Sequence, residues 1–240
     1  MLVLALDTST PEVTAGVVRL RGPQELITLL EAGEAARPAT VLGHRRVTDG
    51  LGHAERLMPL VGEALEEAGG TLRELDAVVV GIGPGPFTGL RVGMATAAAL
   101  GDALDVPVHG VPSHDGLARS LHPLPGELLV ATDARRREVY LSGYRPDGHR
   151  TLGPLVIAPA AVPELLVEHG LTPTHLAGAG ASLTGLPLPS VGVEPQPVLG
   201  LVECAARPLL AGAVPGPLVP LYLRRPDATV PGARKSVLGR

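Results

Sequence analysis

The sequence predicts an α/β protein made of two similar lobes. Two observations support this prediction: short apolar segments of strand length alternate with longer segments of helical period, and this order occurs twice along the chain. Each round begins with consecutive strands. We place the junction near residue 104, which predicts an N-terminal lobe over residues 1–103 and a C-terminal lobe over residues 104–240, with a final helix and a flexible tail.

The first round opens on strands. Residues 2–6 and 13–20 are apolar strand segments, and residues 26–30 are a candidate third strand of a meander. The turn Asp7-Thr8-Ser9-Thr10-Pro11 separates the first two strands. Its carboxylate and three hydroxyls suit bonds to nearby backbone amides, and they equally suit contact with a ligand, so both interpretations stay open. Residues 32–52 are polar and irregular.

A helix is predicted from His53 to Ala68, because apolar residues recur there at i, i+3, i+4 and i+7 and Gly69-Gly70 follows as a stop. His53 lies one turn before the stripe, on the same side. A lone histidine in that place is more often a packed or interface residue than a metal ligand. The stripe consists of Leu57, Leu60, Val61, Ala64, Leu65 and Ala68.

The stretch from Asp76 to Asp105 joins a strand, a glycine–proline loop and a helix. Residues 77–82 predict a strand buried on both faces, and the loop Gly83-Pro84-Gly85-Pro86 lacks the Gly-Lys-Ser/Thr ending of a phosphate-binding loop. Thr88 can cap the helix that follows. Small residues at every fourth position predict close packing against another helix, in this chain or in a partner. This edge consists of Gly89, Gly93, Ala97 and Gly101.

The second round repeats the alternation. Predicted strands cover residues 106–111, 127–131, 138–144, 151–157 and 174–177. Predicted helices cover residues 115–121, 160–169 and 199–210, with Pro208 ending or kinking the last one. Between two of the strands, residues 133–138 form a charged turn of the kind that usually faces solvent. The tail after residue 223 is rich in Arg, Pro and Gly and is expected to fray.

Composition restricts the function. The net charge is −4, and the chain has one phenylalanine, three tyrosines and no tryptophan, so the aromatic platforms that hold single-stranded RNA are lacking. The single Cys204 excludes an internal disulfide. With neither a signal-peptide pattern nor an apolar run long enough to span a membrane, we expect a cytoplasmic protein that is not membrane-bound.

Five sequence blocks, in this order and spacing, resemble the bacterial TsaB (YeaZ) family. The resemblance runs from Leu2 to about Arg225, and the third block is the most specific because it contains Gly-Pro-Gly-x-Phe-Thr-Gly-Leu-Arg. Two positions depart from the family pattern, since Ala54 and Pro86 replace commoner serines. The blocks are residues 4–10, 53–59, 81–93, 133–140 and 220–224.

The resemblance implies an actin-like ATPase (ASKHA, ribonuclease H-like) fold and a role in making threonylcarbamoyladenosine in tRNA. It further implies that a paralogue, TsaD, carries out the transfer, that the chain dimerises with TsaD and that the ATPase TsaE joins them. Alone, the chain is expected to form a homodimer, and to meet tRNA only through the complex. The implied partner-binding residues are His53, Leu57, Leu60, Val61, Ala64, Gly89, Val92, Gly93, Thr96, Ala97 and Leu100.

The same resemblance implies a degenerate nucleotide site, without a catalytic centre, a metal or a cofactor. Asp7 and Thr8 stand where the first phosphate loop of the fold would be, and Asp133 stands in the second, but the expected glycines are missing. Gly178 and Gly180 are what remains of an adenosine loop.

Two alternatives stay open. The chain could be a nucleotide-dependent kinase or ATPase that uses Asp7 and Asp133 with magnesium. It could also be a metal-dependent peptidase, although only His53 and Glu55 favour that hypothesis, and no second histidine follows four residues after His53 as the zinc-protease motif requires.

Overall fold

The computed structural model describes residues 1–33, 37–48, 52–191 and 195–224. The strands are β1 (Leu2–Asp7), β2 (Glu12–Leu20), β3 (Ala39–Thr48), β4 (Ala77–Gly81), β5 (Val108–Val111), β6 (Leu128–Arg135), β7 (Glu138–Tyr144), β8 (Arg150–Ile157) and β9 (His175–Ala177). The α-helices are α1 (Pro23–Glu31), α2 (His53–Ala68), α3 (Phe87–Leu104), α4 (Ser113–Ser120), α5 (Val162–Glu168) and α6 (Pro197–Leu210). The predicted frayed tail lies outside the described residues.

The first sheet has the strand order β3-β2-β1-β4-β5. Strands β1, β2 and β3 form an antiparallel meander, while β4 and β5 run parallel to β1. Helices α2 and α3 pack on one face of this sheet and α6 packs on the other. Every residue of β4 is buried, as expected for a strand covered on both faces.

The second sheet has the order β8-β7-β6-β9, with β9 parallel to β6 and the other pairs antiparallel. Helix α5 packs on one face through Val162 and Leu166. The two sheets and their helices form the predicted α/β architecture of two lobes. Within the described residues, no helix is both long and apolar enough to cross a membrane.

The third strand of the meander was predicted in the wrong place. Residues 26–30 belong to α1, which begins with Pro23 in its first turn. The third strand of the meander is β3, which lies within residues 32–52, the segment predicted to be irregular. Only two of the ten β3 residues are buried, so this edge strand carries no apolar run for sequence analysis to detect. Its backbone bonds to β2 stabilise it.

The predicted junction near residue 104 does not separate the lobes. Strand β5 pairs with β4 in the first sheet, because α3 is the crossover between these two parallel strands. Helix α6 also returns to the first sheet, where Val198, Leu201 and Val202 pack against Val3 and Ala5. The first lobe therefore continues past residue 104 and includes the last helix, α6.

A buried carboxylate holds α6 in place. The side chain of Glu203 is fully buried and binds two arginines. Arg37 reaches it through Nε and Nη2, each 2.9 Å from a carboxylate oxygen, and Arg119 through Nε at 2.8 Å. Because Arg119 lies on α4 and Arg37 precedes β3, this cluster fixes three separate parts of the chain together.

We expect Glu203→Gln to lower the free energy of unfolding by about 1–3 kcal/mol, because it removes charge-assisted hydrogen bonds to both arginines. Urea unfolding followed by circular dichroism measures the loss. Glu66→Gln, at an exposed position of α2, is the control and should change stability by less than about 0.5 kcal/mol. Equal effects of the two substitutions would contradict a stabilising role of the cluster.

Candidate functional site

The described residues contain a cavity of about 480 Å³ at the end of the first sheet where β1 finishes. The β1–β2 turn, the start of α4, strand β6 and the loop after β9 all contribute to its wall, so both lobes line it. The lining residues are Asp7, Ser9, Thr10, Pro11, Glu12, Thr14, Arg46, Thr48, Ser113, His114, Leu117, Thr132, Gly178, Ala179, Pro195 and Pro197.

Asp7 is the buried acid of the cavity. It is 7% exposed, and the backbone N–H of Ser9 donates to its Oδ1 at 2.8 Å. A Cβ at Gly81, the last residue of β4, would overlap Oδ2, so the missing side chain there makes room for the carboxyl group. Burial raises the pKa of Asp7, and hydrogen bonds from Ser9 and Ser113 act in the opposite direction. The carboxyl group is thus held by its own turn and its neighbours.

A chain of hydrogen bonds starts at the wall of the cavity. His114 is 1% exposed, with Nε2 2.9 Å from Thr132 Oγ1 and Nδ1 2.9 Å from Ser142 Oγ. Burial lowers the pKa of His114 to about 3, so the ring is neutral, with one nitrogen donating and the other accepting. Both nitrogens are occupied, and His114 positions two hydroxyls instead of presenting a free base.

Asp115, the residue after His114 on α4, connects this helix to the second sheet. The Tyr144 hydroxyl donates to Asp115 Oδ1 at 2.8 Å, and Arg150 Nη1 donates to the same carboxylate at 2.9 Å. Because α4 also packs on α6, these polar contacts join the second sheet to the helix layer of the first lobe.

The lowered pKa of His114 predicts a dependence of stability on pH. Between about pH 6.5 and pH 3 the unfolded chain binds a proton at this histidine and the native protein does not, so acidification lowers the free energy of unfolding by up to about 1.4 kcal/mol per pH unit. Urea unfolding across this range should therefore show a shallower acid loss in His114→Gln than in the wild type.

The raised pKa of Asp7 has the opposite effect on stability, since acidification then favours the native protein. Asp7 is present in both the wild type and His114→Gln, so its contribution cancels in the difference between their two profiles. His149→Gln, at an exposed position, serves as the control and should follow the wild-type profile. Parallel profiles for the wild type and His114→Gln would contradict the assignment.

Thr8 connects the β1–β2 turn to α3. Its hydroxyl donates to the carbonyl oxygen of Gly89 at 2.7 Å and accepts from the N–H of Gly93 at 3.1 Å. In a regular α-helix these two backbone groups bond to one another. A Cβ at Gly93 would overlap the Thr8 hydroxyl, and one at Gly89 would overlap the Thr8 carbonyl oxygen. Gly89 and Gly93 of the small edge of α3 therefore pack on this turn and Gly101 packs against Val108 of β5, not on another helix as predicted.

This contact predicts that Gly93→Ala destabilises the wild-type protein by about 1–3 kcal/mol through overpacking. In a Thr8→Ala background the obstructing hydroxyl is gone, so the same substitution should become neutral or stabilise by up to about 1 kcal/mol through helix propensity. Urea unfolding of the four proteins gives the coupling energy.

Gly89→Ala is the matched control for this cycle, because the Thr8 backbone oxygen that it would meet is present in both backgrounds. It should remain destabilising after Thr8→Ala. Rescue of both glycine variants, or of neither, would contradict the contact.

The other members of the predicted degenerate site are dispersed. Thr132 faces the cavity, and since side chains alternate along a strand, the next residue, Asp133, is exposed and accepts a hydrogen bond from the backbone of Arg135 at 2.6 Å. Gly178 lines the cavity with φ +91°, and a Cβ there would overlap the carbonyl oxygen of Ala131. Gly180 packs on the Thr132 backbone. Of the five predicted residues, Asp7 and Gly178 line the cavity.

Most of the predicted partner-binding side chains are buried within the chain itself. The core of the first lobe contains Leu57, Leu60, Val61, Ala64, Ala97 and Leu100. Gly89 and Gly93 are covered by the β1–β2 turn, whereas Val92 and Thr96 remain partly exposed. A partner that approaches α2 and α3 would therefore meet the opposite faces of these helices.

His53 binds the turn as well. Its Nε2 lies 2.9 Å from the carbonyl oxygen of Thr10, so this nitrogen carries the proton and donates it. Glu55, the other residue behind the peptidase hypothesis, is exposed. In the part of the chain that the structure describes, no group of three or more His, Cys, Asp or Glu side chains is placed to hold a metal ion.

Sequence reasoning missed His114, Ser113 and Thr132 at the cavity. One signal could have found the first two: they follow β5 directly, and the carboxyl ends of parallel strands meet at one edge of a sheet, where ligands bind in open α/β sheets. Thr132 carried no comparable signal, because its neighbour Asp133 was the more conspicuous polar residue.

A comparison with known protein families finds a match over residues 50–210 to the family described as TsaD, tRNA N6-adenosine threonylcarbamoyltransferase. A relative named tRNA threonylcarbamoyladenosine biosynthesis protein TsaB, of Haemophilus influenzae, is 33% identical over 144 residues, which cover 59% of this chain and 53% of that protein.

Two further comparisons cover nearly the whole chain. An uncharacterized protein of Mycobacterium tuberculosis is 48% identical over 237 residues, or 94% of this chain and 93% of that one. The solved structure of YeaZ from Pseudomonas aeruginosa superposes with a TM-score of 0.62 at 26% identity, covering 90% of this chain and all of that one.

Proposed function

We propose that this chain, which belongs to the TsaB (YeaZ) family and has its actin-like, ASKHA-type fold, is a non-catalytic subunit of a complex that makes threonylcarbamoyladenosine in tRNA. Its direct partner is a TsaD-like transferase, which it activates by binding, and a TsaE-like ATPase joins the pair. Relatives named for this biosynthesis support the role, and the finer assignment to a non-catalytic subunit rests on the cavity.

One observation carries the non-catalytic assignment. An actin-like enzyme needs acidic side chains and free backbone amides directed at the phosphates of a nucleotide. Here Asp7 Oδ1 accepts from the N–H of Ser9, which engages one oxygen of the acid and one amide of the turn. Asp133 is exposed and is bound to its own turn. This arrangement supports the proposal that neither Asp7 nor Asp133 takes part in catalysis.

The second candidate is a nucleotide-dependent enzyme, and the size of the cavity favours it. A volume of about 480 Å³ falls in the range of pockets that hold small ligands. Isothermal titration with ATP and magnesium separates the two functions: tight binding that Asp7→Asn abolishes would support the enzyme and contradict the non-catalytic proposal.

For the partner surface we propose the outward faces of α2 and α3, which lie side by side on the first sheet. Met58 is 42% exposed, and Ala95 and Ala99 are exposed on α3 beside the partly exposed Val92 and Thr96. These side chains are apolar or small, as in interface cores. The exposed face of α2 also carries charged residues, so we centre the proposed contact on α3 and Met58; the charged residues are Glu55, Arg56, Glu63, Glu66 and Glu67. The same surface would form the homodimer when the chain is alone.

We expect sedimentation velocity to show a homodimer of the chain alone and a heterodimer when the TsaD-like protein of the same organism is added without nucleotide. Ala95→Glu should weaken both associations roughly tenfold or more, because it buries an unpaired charge. Val167→Glu on α5, where the side chain is 82% exposed, adds the same charge elsewhere and should leave both intact.

A wild-type protein that fails to associate with the transferase would contradict the proposed function. Unchanged association of Ala95→Glu would contradict the surface while leaving the function in place. Circular dichroism of both variants confirms that they fold.

A further inference from the structure

Two of the four aromatic side chains of the protein stack on its surface. The rings of Phe87 and Tyr222 have centroids 4.9 Å apart with 29° between their planes, and the residues are 40% and 39% exposed. The other two aromatic residues, Tyr140 and Tyr144, are buried. The sequence predicted a lack of aromatic platforms, but folding collects the accessible rings in one place.

An arginine completes the stack. The guanidinium carbon of Arg91 lies 3.9 Å from the Phe87 ring centroid, and its Nε donates to the Tyr222 hydroxyl at 3.1 Å. Both chain segments that form the stack are held in place. Phe87 and Arg91 are one turn apart on α3, and next to Tyr222 the N–H of Leu221 donates to the carbonyl oxygen of Ile82 at 2.9 Å. The two rings and the guanidinium form one rigid unit.

Further arginines lie next to this unit. Arg224, two residues after Tyr222, donates to Glu138 and to the carbonyl oxygen of Ala134, and so holds the turn between β6 and β7 against the segment. This turn presents Arg135, Arg136 and Arg137, all exposed and all with positive φ, at 61°, 52° and 62°. With Arg91 there are five arginines against Asp133 and Glu138, a local charge of about +3 on a chain of net charge −4.

We propose that these residues form an RNA-binding surface, the aromatic–arginine patch, made of Phe87, Arg91, Arg135, Arg136, Arg137, Tyr222 and Arg224. The exposed part of the Tyr222 ring offers a surface on which an unpaired base stacks, while Phe87 and Arg91 hold that ring in place. The exposed arginines of the β6–β7 turn offer guanidinium groups for phosphates, and Arg224 holds this turn beside the ring. An acidic protein segment would match the charge but would not use the flat ring faces. The proposal rests on the proposed function, since the tRNA of the complex is the RNA that would reach the patch.

The charges are tested with the complete chain and a fluorescein-labelled, unmodified tRNA transcript from the same organism, by fluorescence anisotropy at several salt concentrations. Arg135→Gln/Arg137→Gln should weaken binding about tenfold at 0.1 M salt and reduce the salt slope by about 1.4–1.8, since two phosphate contacts are lost. Arg73→Gln/Arg145→Gln removes the same charge at exposed positions elsewhere and should change binding by less than twofold.

The ring is tested separately from its hydroxyl. Tyr222→Leu should weaken tRNA binding roughly fivefold or more with an unchanged salt slope, because the substitution removes the stacking of a base but keeps every phosphate contact. Tyr222→Phe keeps the ring and loses only the hydrogen bond to Arg91, so it should stay within about twofold of the wild type.

Sedimentation with the TsaD-like protein accompanies each variant. Wild-type tRNA affinity in both the double-arginine and the Tyr222→Leu proteins would overturn the patch, and intact heterodimers in that case would leave the proposed function standing. Loss of heterodimer with unchanged RNA affinity would identify the patch as a protein-binding surface and would also overturn the proposal. A wild-type chain that binds tRNA but not the transferase would contradict the proposed function alone.

Discussion

The hydroxyl of Thr8 is placed between two backbone groups of α3, and much of the first lobe depends on this contact. It binds the carbonyl oxygen of Gly89 and the N–H of Gly93, which a regular helix would bond to each other. Such an approach is possible only where neither helical residue has a side chain. The glycines that cost helix stability are thereby explained by a turn of the same chain, and they fix where β1 ends and where Asp7 lies.

The same constraint determines the character of the cavity. Thr8 binds α3, His53 donates to Thr10 and Ser9 donates to Asp7, so the β1–β2 turn, one side of which lines the cavity, is held in place by bonds within its own protein. Close helix packing through glycine does occur, but between α4 and α6, where a Cβ at Gly200 would overlap the carbonyl oxygen of Gly116. This contact and the Glu203 cluster hold α4 and α6 together.

Elements with a strong local signal could be predicted from the sequence. Helix α2 extends from His53 to Ala68 as expected, because its apolar stripe is complete and Gly69 ends it in the left-handed conformation. Strand β3 could not be found, since backbone pairing stabilises it and few of its side chains are buried. Asp7 lies at the end of a buried strand and lines the cavity, whereas Asp133 is exposed because one step along β6 reverses the face.

The blocks that carry the family resemblance are used in different places. Residues 4–10, 53–59 and 81–93 meet at the turn beside the cavity, and residues 81–93 also meet 133–140 and 220–224 at the aromatic–arginine patch. The final segment joins the lobes there: Leu218 packs in the first core, Tyr222 stacks on α3 and Arg224 holds the β6–β7 turn of the second sheet. The patch is therefore complete only while this segment contacts both lobes, so its shape depends on how the lobes are held together.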